Sequence, residues 1–269
     1  MKLKLYLAKL TKSLGVLSCV GGLLSGIIYY QNQLLKSEDK ELAIKQYIQQ
    51  ENIDRANINA LKNMPGFGFN NLIADWSWLQ FLNYFGDGTV RRQIGYSLNP
   101  DFLESIVNHD PRFVRAYFLL APATSIFAGE AERSVRAMNQ GLKSITPDLS
   151  SEGFYLWVYK GVDEMMFLGD TEVARESYLT ASAWAEQSNH PNAKIAVKNT
   201  KETAQSIKDR KDKKDGNLVG RIGAWTQVLN SAPDTETQDK ALNKIKELGG
   251  EVIISPNGNV KIRVPENAT

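Results

Sequence analysis

At 269 residues the chain has room for one large domain or for a domain with appendages, and 42% apolar with 23% charged residues is the balance of a folded protein. A formal net charge of +2 exerts no general pull on nucleic acid, so no nucleic-acid partner is expected. The single Cys19 excludes an intramolecular disulfide and a cysteine-built zinc cage, and two histidines, His109 and His190, leave no metal site unless carboxylates dominate it.

The first twelve residues, MKLKLYLAKLTK, carry Lys2, Lys4, Lys9 and Lys12, and Ser13 to Tyr30 then runs without a charge. As a helix at ~1.5 Å per residue this run reaches roughly 27 Å, just enough for a hydrocarbon core of about 30 Å. Tyr29 and Tyr30 stand where interfacial aromatics belong. Four lysines precede the run, whereas Lys36, Glu38, Asp39 and Lys40 nearly balance after it. That asymmetry predicts a single-pass anchor with a cytoplasmic N-terminus and the remaining chain across the membrane, in a periplasm or lumen. No Ala-x-Ala-like site ends the run, which favours an uncleaved anchor over a signal peptide. VLSC, Val16 to Cys19, resembles a lipoprotein cleavage box, but the apolar run before it is short and continues past it, so a plain intramembrane cysteine is expected. The small residues of GGLLSG suit either a second membrane helix or lipid.

A polar, helix-permissive segment follows (36–64), and NMPGFGF breaks it at Pro65, Gly66 and Gly68. The next helix is apolar almost all round: Leu72, Ile73, Trp76, Trp78, Leu79, Phe81, Leu82, Tyr84 and Phe85. Such a helix is expected to be buried on several sides, with Trp76 and Trp78, about 200° apart, both covered. Asp75 within it then needs a cation, and DPRFVRAY supplies Arg112 and Arg115; the expectation is a structural ion pair that fixes the angle between the two helices. NPDFLESIVNHDP adds a helix with Phe102, Leu103, Ile106 and Val107 on one stripe, ending at Asp110-Pro111 with His109 in a capping position.

The clearest repeat lies further on. EGFYLWVYKGVDEMMF places Leu156, Tyr159, Val162, Met165 and Met166 on a shared stripe, Gly169-Asp170 forms a turn, and Ala174, Tyr178 and Ala181 share the next helical face. An earlier copy aligns Gly129, Ser134, Met138 and Gly141 with Gly169, Ala174, Tyr178 and Ala181, and it closes at Pro147; Ser134 and Ala174 stand 40 residues apart. Helix, tight Gly-containing turn and a second helix with small, aromatic and small positions resemble the tetratricopeptide repeat. The usual period of that repeat is about 34 residues, so DLSSE looks like an insertion. The chain also resembles bacterial membrane-anchored proteins with tetratricopeptide-like repeats, on Ala74, Asp75, Trp76, Trp78, Tyr84, Phe85, Gly86 and the segment Asp110 to Tyr117. That resemblance implies no activity.

Ala193 to Asp215 reads as a helix turning into a charged linker whose lysines are diluted by Glu202, Asp209, Asp212 and Asp215, a solvated face rather than a binding patch. Two short helices follow, the second capped by Asp234 or Thr235 and stopped at Gly249-Gly250. EVIISPNGNVKIRV alternates on both sides of Pro256-Asn257-Gly258, a β-hairpin signal.

These readings predict an all-α chain: an N-terminal transmembrane helix, then a tetratricopeptide-like α-solenoid of about three helical hairpins, then a small C-terminal helix plus β-hairpin element. The expected boundaries are a cytoplasmic end and anchor at 1–35, a polar helical linker at 36–64, the repeat domain at 65–192, a charged helix and linker at 193–216, and C-terminal helices with the hairpin at 217–269. No GxSxG, HExxH, GxGxxG or phosphate-loop pattern occurs, so neither catalytic residues nor a cofactor are expected. Stacked helical hairpins build concave surfaces that hold segments of other proteins. The expected function is a membrane-anchored scaffold or assembly factor for a membrane complex, binding another protein along Asn83, Tyr117, Tyr155 and Tyr159. The alternative is a lipid- or small-ligand-binding module that uses the aromatic-rich helix at 70–86.

Overall fold

A computed structural model of the chain describes residues 21–23, 25–27, 29–30, 40–209, 217–254 and 260–264. It divides into two compact units, Met1–Gln49 and Gln50–Thr269. Helix α1 (Lys40–Asn63) straddles that division.

In the first unit the described residues between 21 and 30 are helical, with Leu23, Ile27, Tyr29 and Tyr30 exposed. Among the described residues no helix is long and apolar enough to cross a membrane. This overturns the transmembrane helix expected over 13–30, and with it the single-pass placement; residues 13–20, 24 and 28 of that run, Cys19 among them, lie outside the described residues. The physical weakness of the expectation is visible in its composition. Seven of the run's eighteen residues are Gly or Ser (Ser13, Gly15, Ser18, Gly21, Gly22, Ser25 and Gly26), and absence of charge is a weaker criterion than a high density of apolar side chains.

The second unit is helical with one small sheet. After α1 come α2 (Asn70–Gly86), α3 (Gly88–Ile94), α4 (Asn99–His109), α5 (Val114–Pro122), α6 (Ala131–Gly141), α7 (Phe154–Val162), α8 (Thr171–Glu186), α9 (Ala193–Asp209), α10 (Leu218–Ser231) and α11 (Thr235–Glu247). Strands β1 (Glu251–Ile254) and β2 (Val260–Arg263) pair antiparallel, with Glu251 opposite Arg263 and Ile254 opposite Val260.

Helix starts follow local chemistry. Asp87, Asp170 and Asp234 each accept a backbone N–H from three residues on (Val90, Val173 and Thr237), satisfying a donor that the first helical turn leaves free. Helix α2 packs on α4, α4 on α5 and α6, α5 on α7, α7 on α8, and α8 on α9, so consecutive helices build a continuous stack. Its core gathers Phe81, Phe102, Leu103, Ile106, Tyr117, Leu120, Met138 and Leu156.

Helices α5 and α7 share an ending. Each passes into a π-helical turn, Ala123–Phe127 and Asp163–Leu168, and each turn closes on a left-handed glycine, Gly129 at φ 62° and Gly169 at φ 76°. The closing bonds correspond as well: Glu130 N–H to the Thr124 carbonyl at 3.0 Å and Asp170 N–H to the Glu164 carbonyl at 2.9 Å. These positions are 40 residues apart, the offset that the sequence shows between Ser134 and Ala174. Widened turns leave carbonyls free of the helical ladder, and helix α10 lies against both turns. Asn217 Nδ2 donates to the Met165 carbonyl at 2.9 Å, and the Trp225 ring meets Phe167 edge-on at 5.4 Å. The hairpin is held on this same C-terminal cluster, with Val252, Ile262 and Val264 against Ile222, Trp225 and Ile245.

Candidate functional site

Helix α2 is apolar all round but covered on one side only. Ala74, Ser77, Phe81 and Tyr84 are buried, and their spacings of three, four and three put them on one face at about 100° per residue. Small side chains at Ala74 and Ser77 admit α4 closely: Ser77 Oγ and Ser105 Oγ share a buried hydrogen bond at 2.9 Å, while the Tyr84 hydroxyl accepts the Leu98 N–H at 3.1 Å. The rings of Phe81 and Tyr84 sit 5.8 and 5.4 Å from that of Phe102.

The opposite face is left to solvent. Phe69, Leu72, Trp76, Leu79 and Leu82 recur at spacings of three and four, and Leu72 and Trp76 remain 65% and 53% exposed. Phe67, just before the helix, is 86% exposed and holds φ 45°, a left-handed conformation that costs a non-glycine residue about 1–3 kcal/mol. Monomeric proteins rarely leave a continuous apolar row of this kind uncovered without a use for it. The expectation that both tryptophans are covered is therefore half right. Trp78 is partly buried, stacking on Phe81 at 5.5 Å and meeting Phe113 at 5.6 Å, whereas Trp76 faces outward.

Asp75 lies on this exposed side, and the ion pair expected with Arg112 or Arg115 does not form among the described residues. Arg112 instead donates from Nε to the Ser144 carbonyl at 3.2 Å, and Arg115 is exposed. With Asp75 still hydrated, no desolvation cost calls for a cation. The pins between helices lie elsewhere. Arg91, buried, reaches Glu51 at 2.9 Å and the Gly95 carbonyl at 2.8 Å and stacks over Tyr84 at 3.8 Å, while the Ser97 hydroxyl donates to Glu51. Lys62 of α1 and Arg133 of α6 both clasp Asp101 and Glu104 of α4, with Arg133 at 2.7 and 2.8 Å and Lys62 at 3.5 and 2.9 Å. Burial raises the Glu104 carboxyl, but hydrogen bonds from Arg133 and Lys62 outweigh it and hold the group below its ordinary range. His109 Nε2 meets the Leu61 carbonyl at 2.8 Å, at the C-terminal end of α1.

The four residues expected to line a groove separate. Tyr117 is fully buried, its hydroxyl donating to the Pro111 carbonyl at 3.0 Å and abutting Gly141, so it is a core residue and not a contact. Tyr155 and Tyr159 are half-buried and share Phe118, edge-on at 6.4 and 6.1 Å; Tyr155 also meets His190 at 5.7 Å and accepts from Asn192 Nδ2 at 3.3 Å. Asn83 is exposed and belongs to the α2 face, four residues beyond Leu79.

One charged cluster is buried at the second π-helical turn. Lys160 pairs with Glu164 and donates to Ser177 Oγ at 2.9 Å; Ser177 in turn donates to Glu164 at 2.6 Å. Beside them Ser125 donates to Asp163 at 2.6 Å, and burial pushes the Asp163 carboxyl up to about 7 against that hydrogen bond. A serine beside a lysine has the composition of a nucleophile and its base. Here both groups are sealed, with Lys160 4% and Ser177 1% exposed, and each is engaged by Glu164, so the cluster ties α7 to α8 and offers no substrate access. Among the described residues no group of three or more His, Cys, Asp or Glu side chains gathers as a metal site. Comparison with models of known families, with characterised proteins and with solved structures finds no match to this chain.

Proposed function

We propose that this chain is a non-enzymatic scaffold or assembly factor that binds another protein on its helical-hairpin body, a body that resembles tetratricopeptide-type repeats in its small–large helix contacts. The observation that carries this reading is the exposed row Phe69, Leu72, Trp76, Leu79 and Leu82 on α2, a helix whose other face is locked into the core. Burying a large apolar side chain is worth about 1.5–3 kcal/mol, so a partner covering this row gains several contacts of that size before association costs are met. Tyr155 and Tyr159, held by Phe118, offer a second contact area on α7.

Affinity purification of the tagged chain from its own cells tests the reading, alongside a variant carrying Trp76→Asp and Leu79→Asp. The expected result is one stoichiometric protein that, once purified, rebinds the parent and not the variant, with both forms melting at the same temperature. Lipid or a small molecule recovered in place of a protein, and lost in the variant, overturns the reading and makes the aromatic helix a ligand-binding element.

A further inference from the structure

We propose that the open face of α2 receives an amphipathic helix of a partner protein whose apolar stripe carries a lysine or arginine set against Asp75. The inference rests on the protein-binding reading above and names the chemistry of the partner. Its first ground is spacing. Phe69, Leu72, Trp76, Leu79 and Leu82 extend over roughly 20 Å at ~1.5 Å per residue, a straight row of helical pitch whose complement is another helix laid along it. The aromatic pair Phe67 and Phe69 forms a lip at its N-terminal end, with Phe67 turned outward by its left-handed backbone.

The second ground is charge. Asp75 is the single charged residue in NNLIADWSWLQFLNYFG, and the helix carries no cation. It is exposed between Leu72 and Trp76 on one side and Leu79 and Leu82 on the next turn, and it has no ion pair among the described residues. Any surface that covers the row also strips water from this carboxylate, which is unfavourable unless a cation arrives with the cover. A second copy of the chain laid α2 against α2 brings another carboxylate to the same seam and no base. An anionic lipid surface meets the same carboxylate with no lysine or arginine on the helix to attract it, the reverse of the pattern that membrane-surface helices use. A partner helix with one basic residue among apolar ones satisfies both the row and the charge.

The test is a display library of 20-residue amphipathic helices with a leucine stripe and one fully randomised stripe position, selected on the purified full chain. The same library is selected on Asp75→Lys and on Trp76→Asp, each first shown by circular dichroism and melting to keep the parental fold. The expected result is enrichment of Lys and Arg at the randomised position, binding weakened at least tenfold by Trp76→Asp, and a switch of preference to Asp and Glu on Asp75→Lys. Peptides that depend on Trp76 but show no charge preference, or keep the same preference on Asp75→Lys, overturn this inference and leave the protein-binding reading standing. If no peptide depends on Trp76 while vesicles of phosphatidylcholine with phosphatidylglycerol bind the parent and not Trp76→Asp, both the inference and the protein-binding reading fail.

Discussion

Arg91 is a buried cation held by a carboxylate, a backbone carbonyl and a ring. It is 4% exposed, it neutralises Glu51 at 2.9 Å, and its guanidinium lies 3.8 Å from the Tyr84 ring centre. Removing one partner of a buried pair leaves the other charge desolvated and unmatched, which costs about 3–5 kcal/mol. Arg91→Ala is therefore expected to lower unfolding free energy by that amount in urea titration, and a change under 1 kcal/mol would show that water replaces the guanidinium freely. Asp163 makes a prediction of opposite character, because its carboxyl is raised from 3.8 to about 7 by burial. The unfolded chain gives up this proton first, so across that interval the folded state holds the extra proton and stability falls as pH rises. The decline begins near pH 4, is complete near pH 7, and amounts to a few kcal/mol at about 1.4 kcal/mol per unit. Asp163→Asn should flatten that part of the stability curve, measured as denaturation midpoints between pH 4 and 8. Glu104, held low by Arg133 and Lys62, acts the other way: its contribution is present above the ordinary glutamate range and is lost on acidification.

Between helices, small residues decide which faces meet. A side chain at Gly141 would overlap the hydroxyl of fully buried Tyr117, and one at Gly161 would stand 3.2 Å from the Tyr178 ring. Gly141→Ala is expected to cost about 1–3 kcal/mol through overpacking, with Tyr117→Phe in the same chain recovering part of the loss; equal melting temperatures for parent and Gly141→Ala would refute the close contact of α5 with α6. The same logic shows what could be read from the sequence. The stripes over 102–107 and 174–181 and the hairpin alternation were legible because each has one apolar face and one period, and the Gly169-Asp170 turn because its residues are turn formers. The cap expected at Asp234 or Thr235 was legible because its role is local, and the structure gives it to Asp234. Helix α2 was not, since apolar residues on every side give no preferred face. The mark that distinguishes its buried side is the row of small residues, Ala74 and Ser77, and the assumption of all-round burial is what misplaced Asp75 and Trp76. The Lys62 and Arg133 clasps on Asp101 and Glu104 join residues 29 to 42 positions apart, and no local pattern announces such pairs.

At the scale of the second unit, the C-terminal helices and hairpin are joined to the helical stack chiefly through the two π-helical turns. Trp225 is 1% exposed and sits against Phe167, Val228 approaches Gly129, and Lys240 pairs with Glu130 at 2.7 Å. Both turns end on a glycine that brings the chain back sharply, and α10 covers them together, so the tail bridges two successive hairpins. This coupling makes a mechanical claim about unfolding. If the bridge is real, the stack and the tail melt as one cooperative body, and signals from near-ultraviolet aromatic bands and far-ultraviolet helix bands coincide. Trp225→Ala removes the largest side chain of the bridge and is expected to cost about 3–5 kcal/mol, as large-to-small changes in a packed core do. Because that loss falls on the joint, it should also split the transition: hydrogen exchange in α10 and α11 speeds up while α4, α5 and α6 keep their protection. A Trp225→Ala chain that still melts in one step, with protection lowered equally in α10 and α4, would mean that the tail is fused to the stack over a wider area than the two turns.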